Sequence, residues 1–170
     1  TDIKREALNY RTNGADEYAL EEVVRLKEKH GGRVVALTAG PKRTEQMLRE
    51  ALAKGADEAV RVGFDDPAAF DAMRVARALA AAVKGIPHDL VLTGVQSDDY
   101  SNSLTGGLIA GVLGHPHASV VTKVEVSGTS VTASRELEGG DIQVVALDLP
   151  VVLTVQFGLN TPRYAPLPQS

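Results

Sequence analysis

Hydroxyls, carboxylates and glycines crowd one short stretch of this chain, Asp89 to Gly107, which reads DLVLTGVQSDDYSNSLTGG. An apolar run ends at Thr93 and Gly94, a polar loop follows, and a second apolar run opens at Leu104 beside two glycines. The carboxyl end of a parallel strand, followed by the free N–H groups of a helix start, is where α/β proteins hold phosphates. Ser101, Ser103 and Thr105 bring hydroxyls to that turn, while Gly106 and Gly107 allow a ligand close to the backbone. The same residues also read as an ordinary strand-to-helix connection capped by serine or asparagine. Neither a Walker A run nor a GxGxxG fingerprint is present to decide between the two.

Other residues carry weaker chemical signals. Asp98 and Asp99 could suggest a magnesium site, but adjacent carboxylates on a polar loop are more often solvated. They repel phosphate by about 1 kcal/mol per pair in water-like surroundings. The expectation is that they face ribose or backbone donors while the Ser101–Thr105 turn takes the phosphate. Tyr100 could stack on an adenine ring or be an ordinary loop tyrosine. His88, His115 and His117 sit near prolines at element ends, with no helical ligand spacing, and are read as structural. Leu167, between Pro166 and Pro168, is either a pre-ordered hydrophobic anchor for a partner or a side chain folded back on its own sheet. No residue stands out as a general base or nucleophile.

The elements that must position these groups alternate. Asp16–His30 is an amphipathic helix carrying Tyr18, Leu20, Val23, Val24 and Leu26, acidic at its start and basic at its end, and stopped by Gly31 and Gly32. A buried strand is expected over 33–40, with small residues such as Ala39 at its carboxyl end. Helices follow at 44–54 and 66–83, strands at 58–62 and 90–93, and a last helix at 104–113. Strand-helix alternation implies a mainly parallel sheet covered by helices on both faces. Beyond Pro116 the pattern turns β-rich, with runs at 120–128, 129–137, 141–149 and 151–157. Hairpin turns are expected at Ser127-Gly128 and Gly139-Gly140, and the final run could rejoin the main sheet. Thr1 to Arg11 lacks the opening strand that a doubly wound sheet normally has, and the proline-rich 159–170 segment reads as neither helix nor strand. The expected organisation is one α/β domain over 1–158, β-rich from about 117, and a tail over 159–170.

Composition limits the functions further. A formal net charge of -4 and the lack of a basic stripe argue against nucleic acid. With no cysteine, thiol catalysis and thiolate metal sites are excluded, so any redox chemistry needs a bound cofactor. No apolar run is long enough to span a bilayer, and no signal-peptide pattern is visible. A cytoplasmic location is the expectation, or the mitochondrial matrix in a eukaryote.

The chain resembles the electron transfer flavoprotein β-subunit family along nearly its whole length. NGADEYALEEVVRLKEKHGG is similar to the family's first helix and its entry, and LTAGPKRTEQMLREALAKGADEAVRV to the next strand, helix and strand. DLVLTGVQSDDYSNSLTG resembles the nucleotide loop. The most specific portion is Ala133 to Thr154, with Arg135, Glu138-Gly139-Gly140, Gln143, Val145, Pro150, Val152, Leu153 and Thr154 at the family's spacing, followed by LNTPRYAPLP.

The resemblance implies a nucleotide-α-hydrolase-like fold with a β-rich C-terminal segment. It implies pairing with an α subunit that holds the working FAD, a structural AMP in this chain (a second flavin in electron-bifurcating relatives), and electron transfer from acyl-CoA or other dehydrogenases. Its nucleotide-binding set falls on Asn13, Ala39, Gly94, Gln96, Ser97, Asp99, Ser101, Asn102, Ser103, Thr105 and Gly106, and its partner-docking set on Arg163, Tyr164 and Leu167. Val95 stands where the family commonly has lysine, and Gly14 where proline follows the asparagine. The family's opening strand would lie before Thr1 and its C-terminal arm beyond Ser170. The competing reading is a stand-alone adenine-nucleotide sensor like the universal stress proteins, which use a related fold.

Overall fold

The computed structural model describes residues 14–63, 71–94 and 104–166. Helix α1 spans Gly14–His30, with Asp16 and Glu17 in its first turn and Lys27, Lys29 and His30 in its last, charges that complement the helix dipole. Gly31, at φ 79°, donates its N–H to Lys27 O at 2.8 Å and ends the helix. The apolar residues of α1 serve two packing surfaces. Tyr18 and Leu26 join the cluster around Leu153, whereas Leu20 and Val23 join Val34, Ala51 and Ala56. The helix therefore packs on both the Leu153 cluster and the Val34 cluster.

Strands β1 (Val35–Gly40) and β2 (Glu58–Gly63) pair in parallel, with Val35 opposite Glu58 and Gly40 opposite Gly63. Helix α2, Glu45–Ala53, connects them after a 3-10 turn at Lys42–Thr44. Helix α3 covers Ala72–Lys84. Asp71 is extended at φ -97° and ψ 136° and caps the Met73 N–H at 3.4 Å. The described helix begins at Ala72, capped by the Asp71 side chain, and the expected start at Asp66 and Pro67 lies outside the described residues. Strand β3, Leu90–Gly94, precedes α4, Thr105–Leu113, which ends at a left-handed Gly114.

The β-rich region forms β4 (His117–Ser127), β5 (Ser130–Glu136), β6 (Ile142–Asp148) and β7 (Val151–Val155). The hairpin turn falls between Ser127 and Ser130, and β5 pairs with β6 after a turn in which Gly139 and Gly140 take φ 92° and 86°. β7 rejoins the main sheet between β3 and β4: the strand order is β3-β7-β4-β5-β6, with β7 parallel to both neighbours. All five β7 residues are buried, as a strand covered on both faces requires. One face of the sheet packs Ala76, Ala80, Ile109 and Ala110 of α3 and α4 on Val152. The other packs α1 through Ala19, Tyr18 and Leu26 on Leu153, Val151 and Val155.

The expected helix-covered, mainly parallel sheet is present, in two parts. Among the described residues β1-β2 and the five-stranded sheet share no strand pairing. A cleft of about 810 Å³ lies between them, with Ala36 and Thr38 of β1 on one wall and Val91 and Thr93 of β3 on the other.

Candidate functional site

The carboxyl end of β3 meets two helix starts. Gly94 closes the strand, and its backbone N–H donates to Asp16 Oδ1 of α1 at 2.7 Å. A Cβ at Gly94 would stand 2.7 Å from Ala15 Cβ and 2.8 Å from the Asp16 backbone nitrogen. The first turn of α1 therefore sits directly on the strand end, where only glycine leaves room.

The second helix start is α4. A Cβ at Gly106 would collide with Thr154 Cγ2 and stand 2.7 Å from Thr93 Oγ1. Thr93 Oγ1 is buried and has no hydrogen-bond partner among the described residues. An unpaired buried hydroxyl costs on the order of 1–3 kcal/mol, so something that bonds it from the crevice would be stabilising. Gly107 is different, because its nearest neighbour would be His117 Cε1 at 3.6 Å, an ordinary contact. The bareness of Gly106 is thus used by the protein's own strands, while Gly107 retains space beside it.

The sequence-derived nucleotide set is brought together only in part. Gly94, Thr105 and Gly106 converge on the β3 and α4 ends with Thr93 and Asp16, two residues the sequence reading did not single out for the site. Asp16 was legible only as a first-turn acid of α1. Ala39 lies near the end of β1, in the other sheet. Asn13, Gln96, Ser97, Asp99, Ser101, Asn102 and Ser103 lie outside the described residues, as do Asp98 and Tyr100.

The tail is strapped across α1. Asn160 Nδ2 donates to Tyr18 O at 3.0 Å and to Glu22 Oε2 at 2.9 Å, and Leu159 packs on the main core. Arg163 points inward rather than outward. Its Nε and Nη2 donate to Glu21 at 2.9 and 3.1 Å, and Nη1 and Nη2 donate to Glu28 at 2.7 and 3.1 Å. Glu21, only 4% exposed, also accepts the Arg163 backbone N–H at 3.0 Å and Arg25 Nε at 2.7 Å. Burial alone would raise the Glu21 pKa, but hydrogen bonds from Arg163 and Arg25 outweigh it and hold the carboxyl at about 2. The Glu28 carboxyl is lowered chiefly by its hydrogen bond from Arg163. Tyr164, the next residue, is 96% exposed. Leu167 lies outside the described residues.

At the opposite end of β3, His88 and His115 face each other with Nε2 atoms 2.8 Å apart, and His88 Nδ1 is 2.8 Å from Ile86 O. A carbonyl only accepts, so His88 carries its proton on Nδ1 and accepts from His115 Nε2–H. Burial, and then the neighbouring His88, lower the His115 pKa. Burial, and then the Arg135 cation, lower that of His117. Among the described residues no group of three or more His, Cys, Asp or Glu is arranged to hold a metal ion, and no helix is long and apolar enough to cross a membrane.

The same chain matches known proteins over its full extent. A family model described as "Electron transfer flavoprotein domain" matches residues 2–170. The electron transfer flavoprotein subunit beta of Methylophilus methylotrophus is 41% identical over 170 residues, covering 98% of this chain and 64% of that protein. The corresponding subunit of Bacillus subtilis is 38% identical over 167 residues, covering 98% and 65%, and that of Sus scrofa is 38% identical over 173 residues, covering 99% and 67%. The chain therefore spans about two thirds of the length of the curated relatives it matches. With a family match along its entire described length, this chain belongs to the electron transfer flavoprotein domain family.

Proposed function

We propose that this chain is the nucleotide-holding part of an electron transfer flavoprotein β subunit. In this reading it binds AMP as a structural ligand, pairs with a FAD-bearing α subunit, and carries electrons from a dehydrogenase to a downstream acceptor. It works in the cytoplasm, or in the mitochondrial matrix of a eukaryote, and is a carrier rather than an enzyme in its own right. The observation that supports this most is the coincidence of the family match over residues 2–170 with a glycine-dependent crevice where β3, α1 and α4 meet. That match favours the carrier over the stand-alone nucleotide sensor.

The residues present suit a mononucleotide. The first turn of α4, at Thr105 and Gly106, would offer N–H groups and a partial positive charge to a phosphate. The buried Thr93 hydroxyl is available for a further hydrogen bond. The Gly94 N–H is already taken by Asp16, so the phosphate donors would come from α4 and the loop before it. The flavin, when bound, supplies the one- and two-electron chemistry, which this cysteine-free chain cannot supply from its own side chains. The cleft between β1 and β3 suits the same reading. Each wall has an unpaired strand edge among the described residues, β1 on one side and β3 on the other.

Extracting the bound small molecules from the purified protein, and identifying them by absorbance and mass, tests the proposal. AMP supports the carrier, and flavin supports its electron-bifurcating form. ATP with a stable homodimer, and no association with an α subunit, would overturn it.

A further inference from the structure

The turns after α3 and α4 bring together His88 and His115, 27 residues apart in sequence. The backbone beside each is pinned to consecutive residues of β7. Asp89 O accepts the Val151 N–H at 3.1 Å, and Pro116 O accepts the Val152 N–H at 3.0 Å. The His115 backbone N–H also donates to Ala110 O at 3.0 Å, at the end of α4. The sheet therefore holds the two rings at this separation, and their own hydrogen bond is not the only tie between them. Both residues are half-buried, which leaves the pair within reach of water.

The hydrogen bond from His88 Nδ1 to Ile86 O leaves Nε2 as a lone pair aimed at His115 Nε2. Metal-ligating histidines are held in the same way, with one ring N–H given to a carbonyl so that the other nitrogen is fixed in tautomer and direction. His115 presents a second lone pair on Nε2 when its proton moves to Nδ1. Burial, which lowers its pKa, keeps that ring in the neutral form that binds metal. The spacing also suits an ion. The nitrogens are 2.8 Å apart and the ring centroids 5.1 Å apart, so the rings meet almost head-on. Two Zn–N bonds of about 2.0–2.1 Å at a tetrahedral angle put the nitrogens about 3.3–3.4 Å apart and the ring centres about 5 Å apart. A tilt of the rings admits the ion without separating the two turns.

We propose that His88 and His115 form a two-imidazole site for a divalent transition ion, Zn²⁺ or Cu²⁺, which takes the place of the shared proton and clips the turn after α3 to the turn after α4, with water completing the coordination. The site stands at the end of β3 opposite the nucleotide crevice and does not depend on the carrier reading. Imidazole nitrogen selects such ions over Mg²⁺ and Ca²⁺, which take oxygen. Two protein ligands in place of the four of a structural zinc site give a dissociation constant in the micromolar range, about 1–100 µM.

The test uses the untagged full-length protein, stripped with a chelator and titrated with Zn²⁺ in a calorimeter. His88→Ala and His115→Gln should each weaken this binding by at least tenfold. His115→Gln can still donate to His88, so it keeps the hydrogen bond and serves if His88→Ala does not fold. His117→Ala removes a histidine beside Gly107 and should bind as the wild type does. Zn²⁺ at about a hundredfold its dissociation constant should raise the wild-type melting temperature by about 5 °C, and that of His115→Gln hardly at all. The electron paramagnetic resonance spectrum of bound Cu²⁺ should show two imidazole nitrogens. Failure to bind either ion below about 1 mM would overturn the inference. So would binding that His88→Ala and His115→Gln leave unchanged, or that His117→Ala weakens equally, since the ion would then sit elsewhere.

Discussion

The carboxylate of Asp16 accepts the backbone N–H of Gly94 at 2.7 Å across 78 residues of sequence. This single bond fastens the start of α1 to the end of β3. Five residues further along the same helix, Glu21 fastens the tail. One helix thus connects the crevice proposed for the nucleotide to the tail at Arg163. An isolated carboxylate near a phosphate would repel it, but one already bonded to a backbone N–H is partly neutralised and also closes off that donor.

Asp16→Ala removes a charge-assisted acceptor and leaves the Gly94 N–H without its partner, at an expected cost of about 1.5–3 kcal/mol. Asp16→Asn retains an oxygen and should lose less. Urea unfolding midpoints of the two variants check this. Equal midpoints for Asp16→Ala and wild type would mean that the joint contributes nothing.

The three glycines of the site should behave differently. Gly94→Ala meets backbone atoms of Ala15 and Asp16 at 2.8 Å, and Gly106→Ala meets Thr154 and Thr93, so each is expected to cost about 1–3 kcal/mol or more by overpacking. Gly107→Ala faces only His117, at 3.6 Å. It lies in the first turn of α4 and should be neutral or stabilising by up to about 1 kcal/mol. Denaturant titration of the three variants would separate a packing requirement from a ligand requirement.

Thr93→Val keeps the shape of a side chain whose hydroxyl is buried without a partner. Nucleotide-free protein should be unchanged or more stable, because an orphaned polar group is removed. Nucleotide affinity should fall by about 0.5–1.5 kcal/mol if that hydroxyl bonds the ligand. Calorimetric titration of AMP into stripped protein measures this, and equal affinities would remove Thr93 from the site.

Much of the architecture was legible because local signals agreed with the tertiary ones. The dipole-matched charges of α1, the glycines at 139 and 140, and the apolar β7 run each dictated one element and no other. What remained illegible was long-range. Nothing local to VVLTV says that the last strand in sequence is inserted between β3 and β4, since that depends on which edges remain open for it. Asp16 looked like a helix-dipole residue, and Arg163 looked available to a partner. Their roles are set by Gly94 and Glu21, at 78 and 142 residues' separation. The expected helix start at Asp66 and Pro67 lies outside the described residues, and the described helix begins after the capping side chain of Asp71.

Glu21 has a carboxyl held at about 2, against an ordinary value of 4.5. A folded-state pKa below the unfolded value means that the unfolded chain binds more protons in this window. The stabilisation is therefore fully present above pH 4.5 and is lost as pH falls toward 2. Its full size is about 3 kcal/mol. Glu21→Gln should remove this dependence, so the wild-type minus variant stability should shrink steadily on acidification through that range. A difference independent of pH would show that the Arg163 contacts do not require the charge.

The histidines carry the opposite dependence on which form is favoured. Burial and the neighbouring His88 lower the His115 pKa, so folding favours its neutral form. The unfolded chain again binds more protons, and stability is present above the ordinary histidine value of 6.5 and falls as pH drops below it. A proton added to His115 goes to Nδ1 and leaves its Nε2–H donor to His88 in place, so the loss comes from a charge buried beside His88 rather than from a broken hydrogen bond. His115→Gln can still donate to His88 but cannot titrate. Melting temperatures of wild type and His115→Gln should diverge between about pH 7.5 and 5.5, with wild type losing more on acidification. His117 is lowered in the same direction, by burial and then Arg135, and is present in both proteins, so its contribution cancels in the difference. Parallel melting curves across that range would show that folding does not favour the neutral form of His115.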